Sequence, residues 1–225
     1  MTRTRWLATK LLTIGLASMA TAGLLSIAVS VWANRFDQAA MNRITPAFFI
    51  ARGVVPVAYA AFAFMLGVTA GLIIRRTVPA MAVTLAVYIG AAASMPLWVR
   101  AHLLPINHVT ARLDTSAIYG LMIEQEGHMT VIGDVHVPGA WILSHQTITP
   151  AGAVFTGPAD PRYCGPDSPM QDCTGWLDTL NLRQDITYHP ADHFWPLQWI
   201  EGGIFFAAAL VLAGVCFWWV NRRIT

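Results

Sequence analysis

Seven histidines are the side chains of this sequence best suited to metal or proton chemistry. All lie between residues 99 and 199: His102, His108, His128, His136, His145, His189 and His193. HPADH (189–193) sets two imidazoles and Asp192 within five residues, which are ligand types for a divalent metal. Pro190, however, disfavours a regular helix that would bring both rings to one face. Ordinary surface histidines are the favoured reading. Asp134 and His136 alternate along a strand-like run and share a side, but no nucleophile stands beside them. Lys10 is the only lysine, so a G-x-x-x-x-G-K-[ST] loop is excluded and this chain cannot itself hold ATP in one. G-x-S-x-G and H-E-x-x-H are absent as well. The expectation is a protein that is not an enzyme, with no catalytic, cofactor-binding or metal-ligating set of its own.

Cysteine chemistry is more definite. Cys164 and Cys173 bracket CGPDSPMQDC, where Pro and Gly permit a tight loop. They form the disulfide candidate, and two free thiols are the alternative. In the chain-entropy view a ring of about ten residues contributes on the order of 2–3 kcal/mol, and such a bond belongs in an oxidising compartment. Cys216 sits in an apolar run and reads as a small packing residue.

The elements that must position these groups are set by composition. The chain has 225 residues, of which 56% are hydrophobic and 12% charged. Charge is nearly absent from four windows, about 11–32, 53–74, 78–98 and 200–220. At 1.5 Å rise per residue, some 20 residues cover the ~30 Å hydrocarbon core of a bilayer. The prediction is an all-α membrane protein with four transmembrane helices. Residues 1–98 form a three-helix membrane region, 99–199 an extracytoplasmic segment, and 200–225 the fourth helix with a cytoplasmic tail. The first apolar run exceeds a signal-peptide core and is expected to remain uncleaved.

Arg75 and Arg76 interrupt GLIIRRTVPAMAV as a tight connection between spans two and three at a membrane surface, with Pro79 suited to the first turn of the next helix. Basic residues accumulate on the cytoplasmic side. With both termini inside a cell membrane, that side collects Arg3, Arg5, Lys10, Arg75, Arg76, Arg222 and Arg223; the short opposite loop holds Arg35, Arg43 and Arg52. Residues 99–199 carry four arginines, Arg100 among them, against ten acids that include Asp114, Glu124, Glu126 and Asp167. Their formal charge is −6, leaving +8 for the rest of a chain that totals +2. No soluble basic patch suits nucleic acid, so none is expected as a partner.

Polar groups within spans are few. Glu201, in WPLQWIEGG, is a candidate interfacial polar site between Trp199 and the apolar core of the fourth span. Headgroup water is favoured over a substrate path. Gly67 and Gly71 form a G-x-x-x-G and are helix-packing candidates. Pro56 and Pro96 are expected to kink or end their helices. In the exterior segment, 129–137 and 140–148 read as strands parted by Pro138–Gly139, Leu113–Glu126 as a short helix, and 156–175 mostly as turns.

ARGVVPVAYAAFAFMLGVTAGLIIRRTVPAMAVTLAVYIGAAASMPLWVRAHLLP (51–105) resembles the central membrane region of bacterial ABC-2-type transporter permeases. FWPLQWIEGGIFFAAALVLAGVCFWWVNRR (194–223) is similar to their last helix, and TRTRWLATKL at the start belongs to the same likeness. The resemblance implies export by a dimer of permeases, homo- or hetero-, each of six helices, with ATP bound by a separate cytoplasmic ATPase subunit. Only four helices are counted here. In the family, a segment like TRTRW follows the second helix and an ATPase-contacting stretch, so those first two helices are missing from this sequence. A misassigned start, a truncated gene or a partner-completed half would each account for that. The competing expectations are a membrane-anchored extracytoplasmic binding or sensor protein, and a membrane enzyme using the outer His and Asp residues.

Overall fold

The computed structural model describes residues 3–40, 44–123, 128–135, 137–165 and 168–222. Arg43, Glu124, Glu126, His136, Asp167 and Arg223, all used above, lie outside them. The chain divides into two compact units, Met1–Leu104 with Ala191–Thr225, and Pro105–Pro190.

The first unit is helical. Among the described residues, four helices are long and apolar enough to cross a bilayer: Ala8–Ala33, Val55–Ile74, Thr77–His102 and Ala191–Arg222. They are carried by α1 (Arg3–Ala40), α3 (Val55–Ile74), α4 (Thr77–Ser94) and α6 (Phe194–Arg222), with a five-residue α2 (Pro46–Ile50) before α3. Pro56 falls in the first turn of α3, where its missing N–H costs nothing. Pro96 sits in a π-helical turn, Met95–Val99, that prolongs α4 and passes into a 3-10 turn, Arg100–His102. Proline cannot donate into the α ladder, and the Arg100 N–H reaches back to Met95 O instead. Helices α3 and α6 lie side by side and run in the same direction: Tyr59 meets Glu201, Phe62 meets Phe205, and Thr69 meets Cys216 further along. Exposed tryptophans mark both ends of the unit, Trp98, Trp195 and Trp199 at one and Trp6 and Trp218 at the other. Indoles prefer that level of a membrane.

The second unit overturns the all-α expectation. Among its described residues five strands build two antiparallel sheets, so the chain is mixed α/β. One sheet has the order β1 (Asn107–Arg112), β5 (Arg183–His189), β4 (Trp141–Ile148); the other pairs β2 (Ile118–Ile123) with β3 (Met129–Gly133). Leu113, Met129, Val131, Cys164, Cys173, Leu177 and Leu182 form its core. The expected strands at 129–137 and 140–148 correspond to β3 and β4.

Over its described residues, 113–123, the helix expected at Leu113–Glu126 is instead a turn and a strand. The Asp114 carboxylate accepts from the Ser116 N–H and hydroxyl at 2.9 and 2.6 Å, which closes a local turn. Those bonds favour the ionised form and hold the Asp114 carboxyl below its ordinary range. Ile118 and Leu121 both pack on the core although three residues apart, a helix-like spacing that here comes from a register shift between Ile118 and Gly120. The stretch expected to be mostly turns ends in a helix, α5 (Met170–Thr179), which buries Cys173 and Leu177 against that core.

Candidate functional site

Most of the polar residues buried among the membrane helices gather at one end of the first unit, and buried Thr69 lies further along α3. Glu201 follows Gln198 by three residues on α6, so both project from one helix face, and both are fully buried. Arg100, also fully buried, arrives from the 3-10 turn beyond the Pro96 kink. Its Nε donates to Glu201 Oε2 at 2.8 Å and its Nη2 to Glu201 Oε1 at 3.0 Å, a two-pronged ion pair. The Tyr59 hydroxyl, from α3, donates to Glu201 Oε1 at 2.8 Å. The guanidinium carbon lies 4.1 Å from the centre of the Phe49 ring, which adds cation–π attraction. Arg100 Nη1 has no hydrogen-bond partner among the described residues.

Gln198 does a different task. Its Oε1 accepts from the Val54 and Val55 N–H groups, both at 3.0 Å, and its Nε2 donates to Phe49 O at 3.1 Å. The first N–H groups of a helix lack partners within it, so a side chain on α6 caps the start of α3. This works only because residue 53 is glycine. Gly53 has φ +74°, and a Cβ there would stand 2.6 Å from Gln198 Oε1. Its carbonyl in turn accepts from the Ser26 hydroxyl of α1 at 3.0 Å. One polar knot therefore joins α1, α3, α6 and the extension of α4.

Three sequence expectations change here. Glu201 was expected to reach headgroup water, but it is enclosed, because Arg100 and Tyr59 supply the donors that water would. Arg100 was counted in the exterior segment and belongs instead to the membrane unit. Arg52, expected in the short outer loop, is buried with its guanidinium over Phe48. Sequence reasoning missed Arg100, Tyr59 and Gln198 as site residues. The available signal was Arg100 and Glu201, opposite charges at the same level of two spans, with Gln198 on the Glu201 face.

The other sequence candidates lie elsewhere. Arg75 is the left-handed residue (φ 57°) that ends α3, its N–H bonded to Gly71 O, and Arg76 starts α4 in extended conformation. Both side chains are exposed. Arg222 stacks over Trp218. Gly67 faces α4, where a Cβ would meet Thr84 Cγ2 at 3.7 Å, whereas Gly71 faces open space. Cys164 and Cys173 are disulfide-bonded, their Cα atoms 4.6 Å apart. Among the histidines of the second unit, His108 pairs with Thr187, and buried His189 stacks on Trp141. Among the described residues, no three His, Cys, Asp or Glu side chains gather as metal ligands.

Residues 1–100 match the family model described as ABC-2 membrane transporter related. Over that span the chain is similar to that family. No curated protein and no solved structure matches the chain. The matched region runs from α1 through the extension of α4 and ends on Arg100, so it holds the cation and Tyr59 of the polar knot while Glu201 and Gln198 come from α6.

Proposed function

We propose that this protein is the membrane-spanning subunit of an ABC-type exporter, worked by a separate cytoplasmic ATP-binding subunit and assembled as a pair of permeases. The observation that carries the proposal is the ABC-2-related match over 1–100 on a unit that has four bilayer-length apolar helices. The polar knot serves this role as a pin: it holds the starts of α3 and α6 and the end of α4 in one register. A cytoplasmic ATPase should co-purify with the full chain in mild detergent, and its turnover should change when the chain is added. Absence of any associated ATPase overturns the proposal.

The orientation we infer places both termini in the cytoplasm of the cell and Pro105–Pro190 outside. The arginine distribution, the acidic exterior segment and the Cys164–Cys173 disulfide support it. Cys216 is buried and is the only free cysteine among the described residues, so a single introduced thiol can be read cleanly. An impermeant maleimide applied to intact cells should label Tyr119→Cys, at a site 86% exposed, and leave Arg75→Cys untouched. The reverse pattern inverts the topology.

A second reading, an anchored extracytoplasmic binding module, is favoured by one observation: Pro105–Pro190 has its own core and crosslink. Specific ligand binding by the full chain that persists without any ATPase supports it over transport.

A further inference from the structure

From the Arg75–Arg76 turn, at the end of the first unit opposite the polar knot, α3 and α4 line a groove of about 790 Å³. One wall is the stripe Ala63, Gly67, Gly71, spaced four residues apart, and the next residue at that spacing is Arg75. The facing wall includes Thr84, Leu85 and Tyr88. The Thr84 hydroxyl is turned back to Ala80 O within its own helix, so it adds little polarity to the interior. Arg75 and Arg76 line the mouth, exposed and without an ion-pair partner among the described residues. From residue 63 to 75 the groove follows about 18 Å of helix at 1.5 Å per residue, close to the depth of one leaflet of a ~30 Å core.

We infer that this groove binds an anionic phospholipid, one acyl chain along the glycine stripe and the phosphate on Arg75 and Arg76. The apolar floor selects a chain, and the two guanidiniums select a negative headgroup over a zwitterionic one. A second copy of this protein would bring its own Arg75 and Arg76 to any symmetric contact on this face and is disfavoured by like charge. The inference needs only a membrane location and is independent of the transport proposal.

Native mass spectrometry of the full chain, extracted from vesicles of equal phosphatidylcholine and phosphatidylglycerol, tests it. The expected result is preferential retention of phosphatidylglycerol. R75Q/R76Q should cut that preference on the order of thirtyfold, about fivefold per arginine. Gly71→Leu adds a side chain where nothing lies within 4 Å and should abolish retention of both lipids without lowering the melting temperature. Leu85→Trp fills the same space from the opposite wall and replaces Gly71→Leu if that variant does not fold. Retention in the vesicle ratio, a preference that survives R75Q/R76Q, or filled-groove variants that still hold lipid would each overturn the inference. So would a filled-groove variant that dissociates a dimer while keeping its lipid.

Discussion

Arginines end the apolar runs of α3 and of the extended α4, and the two are treated in opposite ways. Arg100 is withdrawn from solvent completely and given a carboxylate, with a tyrosine and an aromatic ring completing its surroundings. Arg75 and Arg76 are left exposed at a two-residue turn with no such partner among the described residues. Burying a guanidinium is tolerable only where opposite charge and hydrogen bonds offset its lost hydration, and that needs residues from several helices. A surface turn needs nothing beyond headgroups and water. Position along the chain does not distinguish the two cases; what other helices bring to each end does.

The sharpest way to break this contrast is to remove one partner of the buried pair. Arg100→Ala or Glu201→Ala should each destabilise the membrane unit by about 3–5 kcal/mol, seen as a large fall in detergent melting temperature. Replacing both at once, Arg100→Met with Glu201→Leu, should recover most of that loss, because no unpaired charge remains. A double variant as unstable as either single one would mean that the pair is not the stabilising unit. Gly53→Ala comes next, at about 2 kcal/mol, since it combines an unfavourable positive φ with displacement of Gln198 from the start of α3. Its melting temperature should fall, and a further Gln198→Ala change should cost less than it does alone. At the exposed end, R75Q/R76Q should leave stability within about 0.5 kcal/mol of the parent. A larger loss would place those arginines in the fold rather than at its surface.

The smallest effect belongs to an exposed charge outside the membrane helices. Asp114 is held below its ordinary range by Ser116, so its contribution is complete above the unfolded carboxylate value of about 3.9 and is lost as pH falls through the lower folded value. In acid titrations below about pH 4, Asp114→Asn should show a slightly shallower loss of stability than the parent. An identical slope would remove the Ser116 bonds from the account.

Much of the membrane unit was legible because the signals are local. A span is recognised by its length and apolarity, and the double-arginine bend by its neighbours. In the second unit, β3 and β4 were legible from alternation around Pro138–Gly139. Strand β5 was not: Gln184, Asp185 and Thr187 make it polar, and Gln184 is tolerated in the interior only because its Nε2 donates to Thr147 of the paired strand. The register shift beside Gly120 gave β2 a helical spacing. Helix α5 was hidden by the Pro, Gly and Asp composition just before it, and it shows its purpose only where Cys173 and Leu177 meet the core.

Runs of apolar residues are additive along the chain, so their number and length, and hence a bilayer as solvent, follow from residue order alone. The fate of a charge at the end of a run does not. Arg100 and Glu201 are separated by 101 positions, and neither carries a mark of its partner. Their pairing depends on α3 and α6 lying in parallel register and on the Pro96 turn that brings Arg100 to them. Desolvation is a property of the assembled surroundings, so only the packed helices decide which arginine is buried and which faces the membrane surface.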